Sequence, residues 1–124
     1  MNNIHVDIKS NKPIYQQLYD QISSQILLKE MKTDTQLPSI RTTAKELRVS
    51  VITIKKTWEM LEQDNYIYTI AGKGSYVSNT TDSELSKKKT LMVKTPLQEV
   101  IELSKSLEIS QEDFIKLATN LYNK

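Results

Sequence analysis

Cationic and hydroxyl side chains in the middle of the chain are the residues whose types and spacing could do chemistry. They include Ser39, Arg41, Ser50, Thr53, Lys55, Lys56 and Lys73. Guanidinium and ammonium groups displace the counterions of nucleic-acid phosphates, and hydroxyl groups donate hydrogen bonds to phosphate oxygens. The chemistry that this set suits is the binding of a polyanion, without making or breaking covalent bonds.

Catalytic chemistry has little support in the sequence. His5 is the only histidine and there is no cysteine, which excludes disulfides, thiolate metal sites and multi-histidine metal sites. No nucleophile is accompanied by a base and an orienting acid, and Gly72 and Gly74 bracket a single lysine instead of forming a phosphate-binding loop. We therefore expect no enzyme activity, no metal and no cofactor.

The composition indicates a soluble globular protein. The chain has 124 residues, of which 38% are hydrophobic and 26% charged, enough for one ordinary domain or a small domain with an appendage. It has no signal-peptide pattern and no apolar run near the ~18–20 residues that a membrane helix needs, so we expect a cytoplasmic protein. The net charge of +2 is too small to indicate a polyanion partner by itself.

The first element that must position these residues is a helix over residues 13–29. Its apolar positions recur every four residues, as Ile14, Leu18, Ile22 and Ile26. Pro13 suits a first helical turn, where its missing N–H costs nothing. This segment predicts a helix with one buried face.

Two short helices, over residues 39–48 and 51–64, follow with a tight turn between them. Each is preceded by a good N-cap, Ser39 or Ser50, and the pair predicts a helix-turn-helix. Their buried positions are Ile40, Ala44, Leu47, Ile54, Trp58 and Leu61. A glycine is usual in such a turn, but here Arg48 or Val49 takes its place.

The first turns of the second of these helices carry the outward-facing groups. With Ile54 and Leu61 facing the core, the side chains that point outward are those of Ile52, Thr53, Lys55 and Lys56. Periodicity alone would also let Val51 join the core. The outward face either contacts DNA or is a solvated basic surface.

A β-hairpin is predicted directly after the helix-turn-helix. Residues 67–70 and 75–77 are rich in β-forming side chains, and Gly72 and Gly74, the only glycines, lie between them. A hairpin in this position is a wing. Lys73 at its tip either approaches a minor groove or lies in a tight turn with no contact.

The last third of the chain is expected to form a separate helical tail, giving domains 1–78 and 79–124. Residues 79–82 have a linker composition, residues 83–94 are weakly helical, and Pro96 should break or kink a helix there, leaving either one kinked helix or two. Ser110 should cap a last helix. The apolar positions of these helices are Leu97, Val100, Ile101, Leu107, Phe114, Leu117 and Leu121. Because two helices are too few for a core, we expect a second copy of the chain to cover these residues.

The middle of the chain resembles the GntR family of bacterial regulators over roughly residues 10–78. The matching elements are Leu37-Pro38-Ser39-x-Arg41, Ala44-x-x-Leu47, Val49-Ser50, Thr53-Ile54, Leu61 and Gly72-Lys73-Gly74-Ser75-Tyr76-Val77. The opening Pro13-Ile14-Tyr15-Gln16-Gln17 and the short tail are similar to the YtrA-like branch. The resemblance implies a mainly α fold with a small β-hairpin, a winged helix-turn-helix followed by a short helical dimerisation tail, and no large effector domain.

The resemblance also implies where DNA is contacted: at the start of the first motif helix, along the recognition helix and at the wing tip. The residues are Ser39, Arg41, Ser50, Val51, Ile52, Thr53, Lys55, Lys56, Gly72, Lys73 and Gly74. The chain departs from the family at Glu30 and Asp34, where glycines are frequent, and at Val51, where a basic residue commonly stands. We expect an altered operator preference, with a thymine methyl met by Val51 or Ile52.

The expected function is a transcription regulator, with repression favoured over activation, that binds a pseudo-palindromic double-stranded operator as a homodimer. The branch resemblance suggests a transporter operon. The alternative is a winged-helix protein-interaction module without DNA readout, which would not need Arg41, Lys55, Lys56 and Lys73 on one surface. A small-molecule effector would bind at the wing–tail junction or the dimer interface, unless expression level alone controls the protein.

Overall fold

The computed structural model describes residues 3–79 and 82–124. It is mainly helical with one small antiparallel sheet, as the sequence predicts. The chain divides into two compact units, Met1–Thr81 and Asp82–Lys124. The elements are α1 Ile14–Leu27, α2 Ile40–Leu47, α3 Val51–Gln63, β1 Ile67–Ile70, β2 Gly74–Val77, α4 Asp82–Ser106 and α5 Gln111–Tyr122.

The core of the first unit lies where α1 packs against α3. The four-residue stripe of α1 buries Leu18, Ile22 and Ile26, and α3 buries Ile54 and Leu61 completely. Each such side chain stabilises the fold by about 1.5–3 kcal/mol relative to remaining exposed. This packing fixes which face of α3 remains in solvent.

The helix-turn-helix forms as predicted, with both caps in place. The Ser39 and Ser50 hydroxyls accept the backbone N–H groups of Thr42 and Thr53, each at 3.1 Å. Arg48 ends α2 in the left-handed conformation, with φ 57° and ψ 45°. The residue at the usual glycine position of the turn is therefore an arginine.

The loop between α1 and α2 also uses left-handed residues that are not glycine. Asp34, at one of the positions where glycine is frequent in the family, has φ 65°, and Lys29, which follows the end of α1, has φ 59°. Asparagine and aspartate tolerate this region best among residues with a Cβ. Asp34 therefore adopts the left-handed backbone conformation that glycine would adopt at this position.

The wing is a two-stranded hairpin with one additional backbone segment, residues 34–37, paired along its side. We call this segment the edge of the wing. β1 pairs with β2 from Ile67 opposite Val77 to Ile70 opposite Gly74, and β2 begins one residue earlier than predicted. Residues 34–37 lie along the other side of β2. The bonds run from Asp34 N–H to Val77 O at 2.8 Å, from Val77 N–H to Thr35 O at 2.9 Å, and from Leu37 N–H to Ser75 O at 2.8 Å. This edge was not predicted.

The second unit decides between the two alternatives for the tail. α4 runs as one helix through Pro96, so residues 83–94 belong to the same helix as Leu97, Val100 and Ile101. Proline removes a single N–H donor, the one that would bond the carbonyl of Met92, and the turns on either side sustain the helix. Leu107 lies just beyond the end of α4, and Ser110 caps α5 as predicted. In the described part of the chain, no helix is long and apolar enough to cross a membrane.

Candidate nucleic-acid interface

The start of α2 presents a cationic side chain beside a capped helix terminus. Arg41 is the second residue of α2 and is exposed. The Ser39 hydroxyl, which caps the helix, also donates to the Thr42 hydroxyl oxygen at 2.8 Å. A helix N-terminus carries partial positive charge, so the guanidinium and the helix end favour the same anionic group.

The start of α3 is also a serine-capped helix terminus, but the exposed side chains of its first turn are apolar. The Ser50 and Thr53 hydroxyl oxygens lie 2.8 Å apart, which fixes the orientation of the Thr53 side chain. Val51 is 46% exposed and Ile52 is 79% exposed. Val51 therefore does not join the core, which settles the choice that periodicity left open. Two exposed β-branched residues at a helix start form an apolar surface suited to a thymine methyl.

Lys55 and Lys56 are both exposed on α3, but their surroundings differ. The ammonium of Lys56 lies 3.8 Å from the centre of the Tyr15 ring, which belongs to α1. A cation over an aromatic face is held by the ring's quadrupole with about 0.5–1 kcal/mol at an exposed site. Lys56 is thus tethered to α1, a contact that the sequence analysis did not foresee.

An open groove of about 460 Å³ brings the start of α2 and the wing tip together. The predicted site residues in its lining are Ser39, Arg41, Gly72, Lys73 and Gly74. Trp58 of α3 contributes to the wall. Gly72 and Gly74 have φ of +76° and +117°, a conformation that explains why the turn uses glycine. Two of the three predicted contact regions therefore share one groove.

Aromatic groups on the wing strands were missed by sequence reasoning. The rings of Tyr68 and Tyr76 stack with centroids 5.5 Å apart, and the Tyr68 hydroxyl donates to Asp34 Oδ1 at 2.7 Å. This hydrogen bond raises the pKa of Tyr68 above its ordinary value, because ionisation would remove the donor next to a carboxylate. The bond from Tyr68 to Asp34 joins residues 34 positions apart, so no local pattern announces it.

A second tyrosine ties α1 to the end of α3. The Tyr19 hydroxyl donates to the Asp64 carboxylate, and its ring meets Tyr66 edge to face with centroids 6.0 Å apart. Burial, followed by the bond to Asp64, raises the pKa of Tyr19 well above its ordinary value. Tyr19 therefore helps to fix the position of α3, the helix that carries Val51 and Ile52.

The predicted dimerisation residues lie on open faces of the second unit. Leu97, Val100, Leu107, Leu117 and Leu121 are between 43% and 63% exposed. Ile101 and Phe114 are half-buried and line a groove of about 380 Å³ between α4 and α5. α5 has no buried residue in the single chain. Leu117 and Leu121 of this helix are therefore uncovered.

Comparison with known proteins identifies the family of the chain. Residues 14–77 match the family described as bacterial regulatory proteins, gntR family. The chain is 33% identical to the HTH-type transcriptional repressor YtrA of Bacillus subtilis over 98 residues, covering 79% of this chain and 75% of that protein.

Solved structures of GntR-family regulators have the same fold as this chain. A GntR family transcriptional regulator from Listeria monocytogenes superposes with a TM-score of 0.76 at 26% identity, covering 91% of this chain and 98% of that one. YtrA from Sulfolobus acidocaldarius, a GntR-family transcription factor, superposes with a TM-score of 0.61 at 28% identity, covering 77% and 97%. These relatives are transcription regulators and not enzymes. The chain belongs to the GntR family of bacterial transcription regulators, which bind DNA through a winged helix-turn-helix.

Proposed function

We propose that this regulator is a sequence-specific repressor that binds a two-fold symmetric operator as a homodimer. The observation that carries the proposal is the groove shared by Arg41 and the wing-tip residues Gly72, Lys73 and Gly74. Two cationic side chains at one groove suit a DNA backbone, and the exposed start of α3 suits the major groove.

The proposed contacts divide into those that hold the backbone and those that select the sequence. Arg41, Lys55 and Lys73 carry the charge that neutralises phosphates, and the Thr53 hydroxyl adds a hydrogen bond. Val51 and Ile52 occupy the first turn of α3, where a recognition helix meets base edges. Because their side chains lack donors and acceptors, they favour thymine through its methyl group and discriminate less among the other bases.

Lys56 has a supporting role in this proposal. Its ammonium over the Tyr15 ring keeps a positive charge at the seam between α1 and α3. Reaching a phosphate from there requires either leaving the ring or holding the phosphate beside it. We therefore assign the stronger phosphate contact on α3 to Lys55.

The homodimer follows from the open apolar faces of the tail. The exposed leucines of α4 and α5 need a cover, and a second copy supplies an identical face with two-fold symmetry. A two-fold dimer presents its recognition helices to successive major grooves about 34 Å apart, which predicts a pseudo-palindromic operator. Repression is favoured by the relative named as a repressor in Bacillus subtilis. A transporter operon as the target rests on the branch resemblance, and a cytoplasmic location follows from binding chromosomal DNA.

Selection of duplexes from a random-sequence library by the purified protein tests the proposal. Wild type and Arg41→Ala are compared across a salt series, with Lys116→Ala as the control. Lys116 is an exposed lysine of α5 paired with Glu112 at 3.5 Å, and its loss removes the same charge from the tail.

We expect wild type and Lys116→Ala to enrich the same two-fold symmetric site. Arg41→Ala should bind that site on the order of tenfold or more weakly, and its salt slope should be smaller by about one. Absence of enrichment at every salt concentration would contradict the proposal and favour a protein-interaction module.

A further inference from the structure

Gln36 stands at the centre of the unpredicted edge of the wing. The edge covers residues 34–37, which hydrogen-bond to β2 through their backbone, and Gln36 itself is bridged to Tyr76. The edge continues directly into Ser39, the N-cap of α2. One short segment therefore connects the wing to the helix that carries Arg41.

The side chain of Gln36 holds the wing turn from the side. Its amide nitrogen donates to the carbonyl oxygen of Lys73 at 2.8 Å. A Cβ at Gly74 would lie only 2.9 Å from the same nitrogen, so the amide rests directly on the bare Cα of this glycine. Lys73 N–H bonds to Ile70 O at 3.0 Å, which closes the turn. The backbone of Lys73 is thus fixed at both its N–H and its carbonyl.

The position of Gln36 makes this bond relevant to the interface. Gln36 lines the same groove as Arg41 and Lys73. Without the amide, the turn containing Gly72 and Gly74 would be held by the ends of β1 and β2 and by a long hydrogen bond of 3.5 Å from the Tyr76 hydroxyl to the Lys73 carbonyl. Two glycines give such a turn more conformational freedom than any other pair of residues. A lysine at its tip would then spend part of its time away from the groove.

We propose that Gln36 is a positioning residue of the DNA interface, whose amide bond to the Lys73 carbonyl fixes the wing tip relative to Arg41. The proposal rests on the proposed function, since it assigns Lys73 a phosphate. Gln36 contributes no charge and no base contact of its own. Its effect on affinity passes through Lys73.

A double-mutant cycle on the selected duplex tests this assignment. Gln36→Met keeps the length of the side chain and removes the donor. If the methionine variant does not fold, Gln36→Leu is used in its place. Gln36→Met should weaken binding about two- to tenfold and lower the salt slope toward that of Lys73→Ala. The loss of affinity caused by Gln36→Met should largely disappear when it is introduced into Lys73→Ala. The same loss should remain in full when Gln36→Met is introduced into Lys55→Ala.

Amide hydrogen exchange in the free protein supplies a readout that does not depend on DNA. Gln36→Met should speed exchange at the Lys73 amide, while the Leu37 amide, bonded to Ser75 in the same edge, should remain protected.

Unchanged exchange at Lys73, or a loss of affinity that adds fully to that of Lys73→Ala, would overturn the role of Gln36. Failure of the wild type to bind any duplex would instead overturn the proposed function. In that case the exchange measurement still decides whether Gln36 fixes the wing tip.

Discussion

Replacing Arg48 by glycine should stabilise the protein. Arg48 ends α2 with φ 57° and is exposed, and its N–H bonds to Lys45 O at 3.3 Å. The next residue, Val49, donates to Ala44 O at 3.0 Å. These backbone bonds require the left-handed conformation, whichever side chain stands there.

The magnitude follows from two opposing effects on the free energy of unfolding. A residue with a Cβ costs about 1–2 kcal/mol in the left-handed region, and glycine avoids this cost. Glycine also makes the unfolded chain more flexible, which offsets about 0.4–1 kcal/mol of the gain. We expect a net stabilisation of about 0.5–1 kcal/mol, which for a unit of this size raises the midpoint of thermal unfolding by about 2–8 °C.

Thermal and urea unfolding of three variants separate the backbone effect from the loss of charge. Arg48→Gly should be more stable than wild type, and Arg48→Asn should lie between them, since asparagine tolerates positive φ. Arg48→Ala removes the same charge without relieving the backbone and should show no gain. Equal stability of the glycine and alanine variants would refute the reasoning, because the conformation of the turn would then carry no cost.

Three further predictions concern the tail, α1 and the tyrosines. Leu117→Glu or Leu121→Glu should break the dimer and weaken operator binding together; an intact dimer of both variants in analytical ultracentrifugation would remove the tail from dimerisation. In urea unfolding, a double-mutant cycle of Tyr15→Ala and Lys56→Ala should give a coupling of about 0.5–1 kcal/mol, and Tyr15→Phe should preserve it; zero coupling would mean that the ring does not hold the ammonium. The raised pKa of Tyr19 makes its contribution to stability complete below about pH 10, the pKa of tyrosine in the unfolded chain, and progressively lost as the pH rises above it. Between pH 9 and 11 the stability of Tyr19→Phe should therefore fall less steeply than that of wild type, and equal slopes would contradict the assignment.

The local elements could be predicted because their signals are local. The four-residue stripe of α1, the serines before α2 and α3, and the glycines of the hairpin each act within a few residues along the chain. Their outcomes, such as the buried Leu18 and the capping bonds of Ser39 and Ser50, match the expectation. These signals were enough to define the three helices and the hairpin of the first unit.

The contacts that tune the interface could not be predicted, because they depend on how distant elements meet. Residues 34–37 have the composition of a polar loop, and only the neighbouring β2 turns them into an edge. The bond from Gln36 to Lys73 spans 37 positions, and the Tyr15 ring reaches Lys56 only through the crossing of α1 and α3. Pro96 left one kinked helix or two helices open, because its local cost alone does not decide whether the turns on either side sustain a continuous helix.

Hydroxyl-radical footprinting of the selected duplex tests the central claim most directly. We predict two protected backbone regions centred about one helical turn apart on one face of the duplex, related by the symmetry of the site. Arg41→Ala should weaken both regions equally, because each protomer contributes one. A single protected region, or protection that does not depend on Arg41, would contradict a dimeric regulator that contacts DNA through the start of α2.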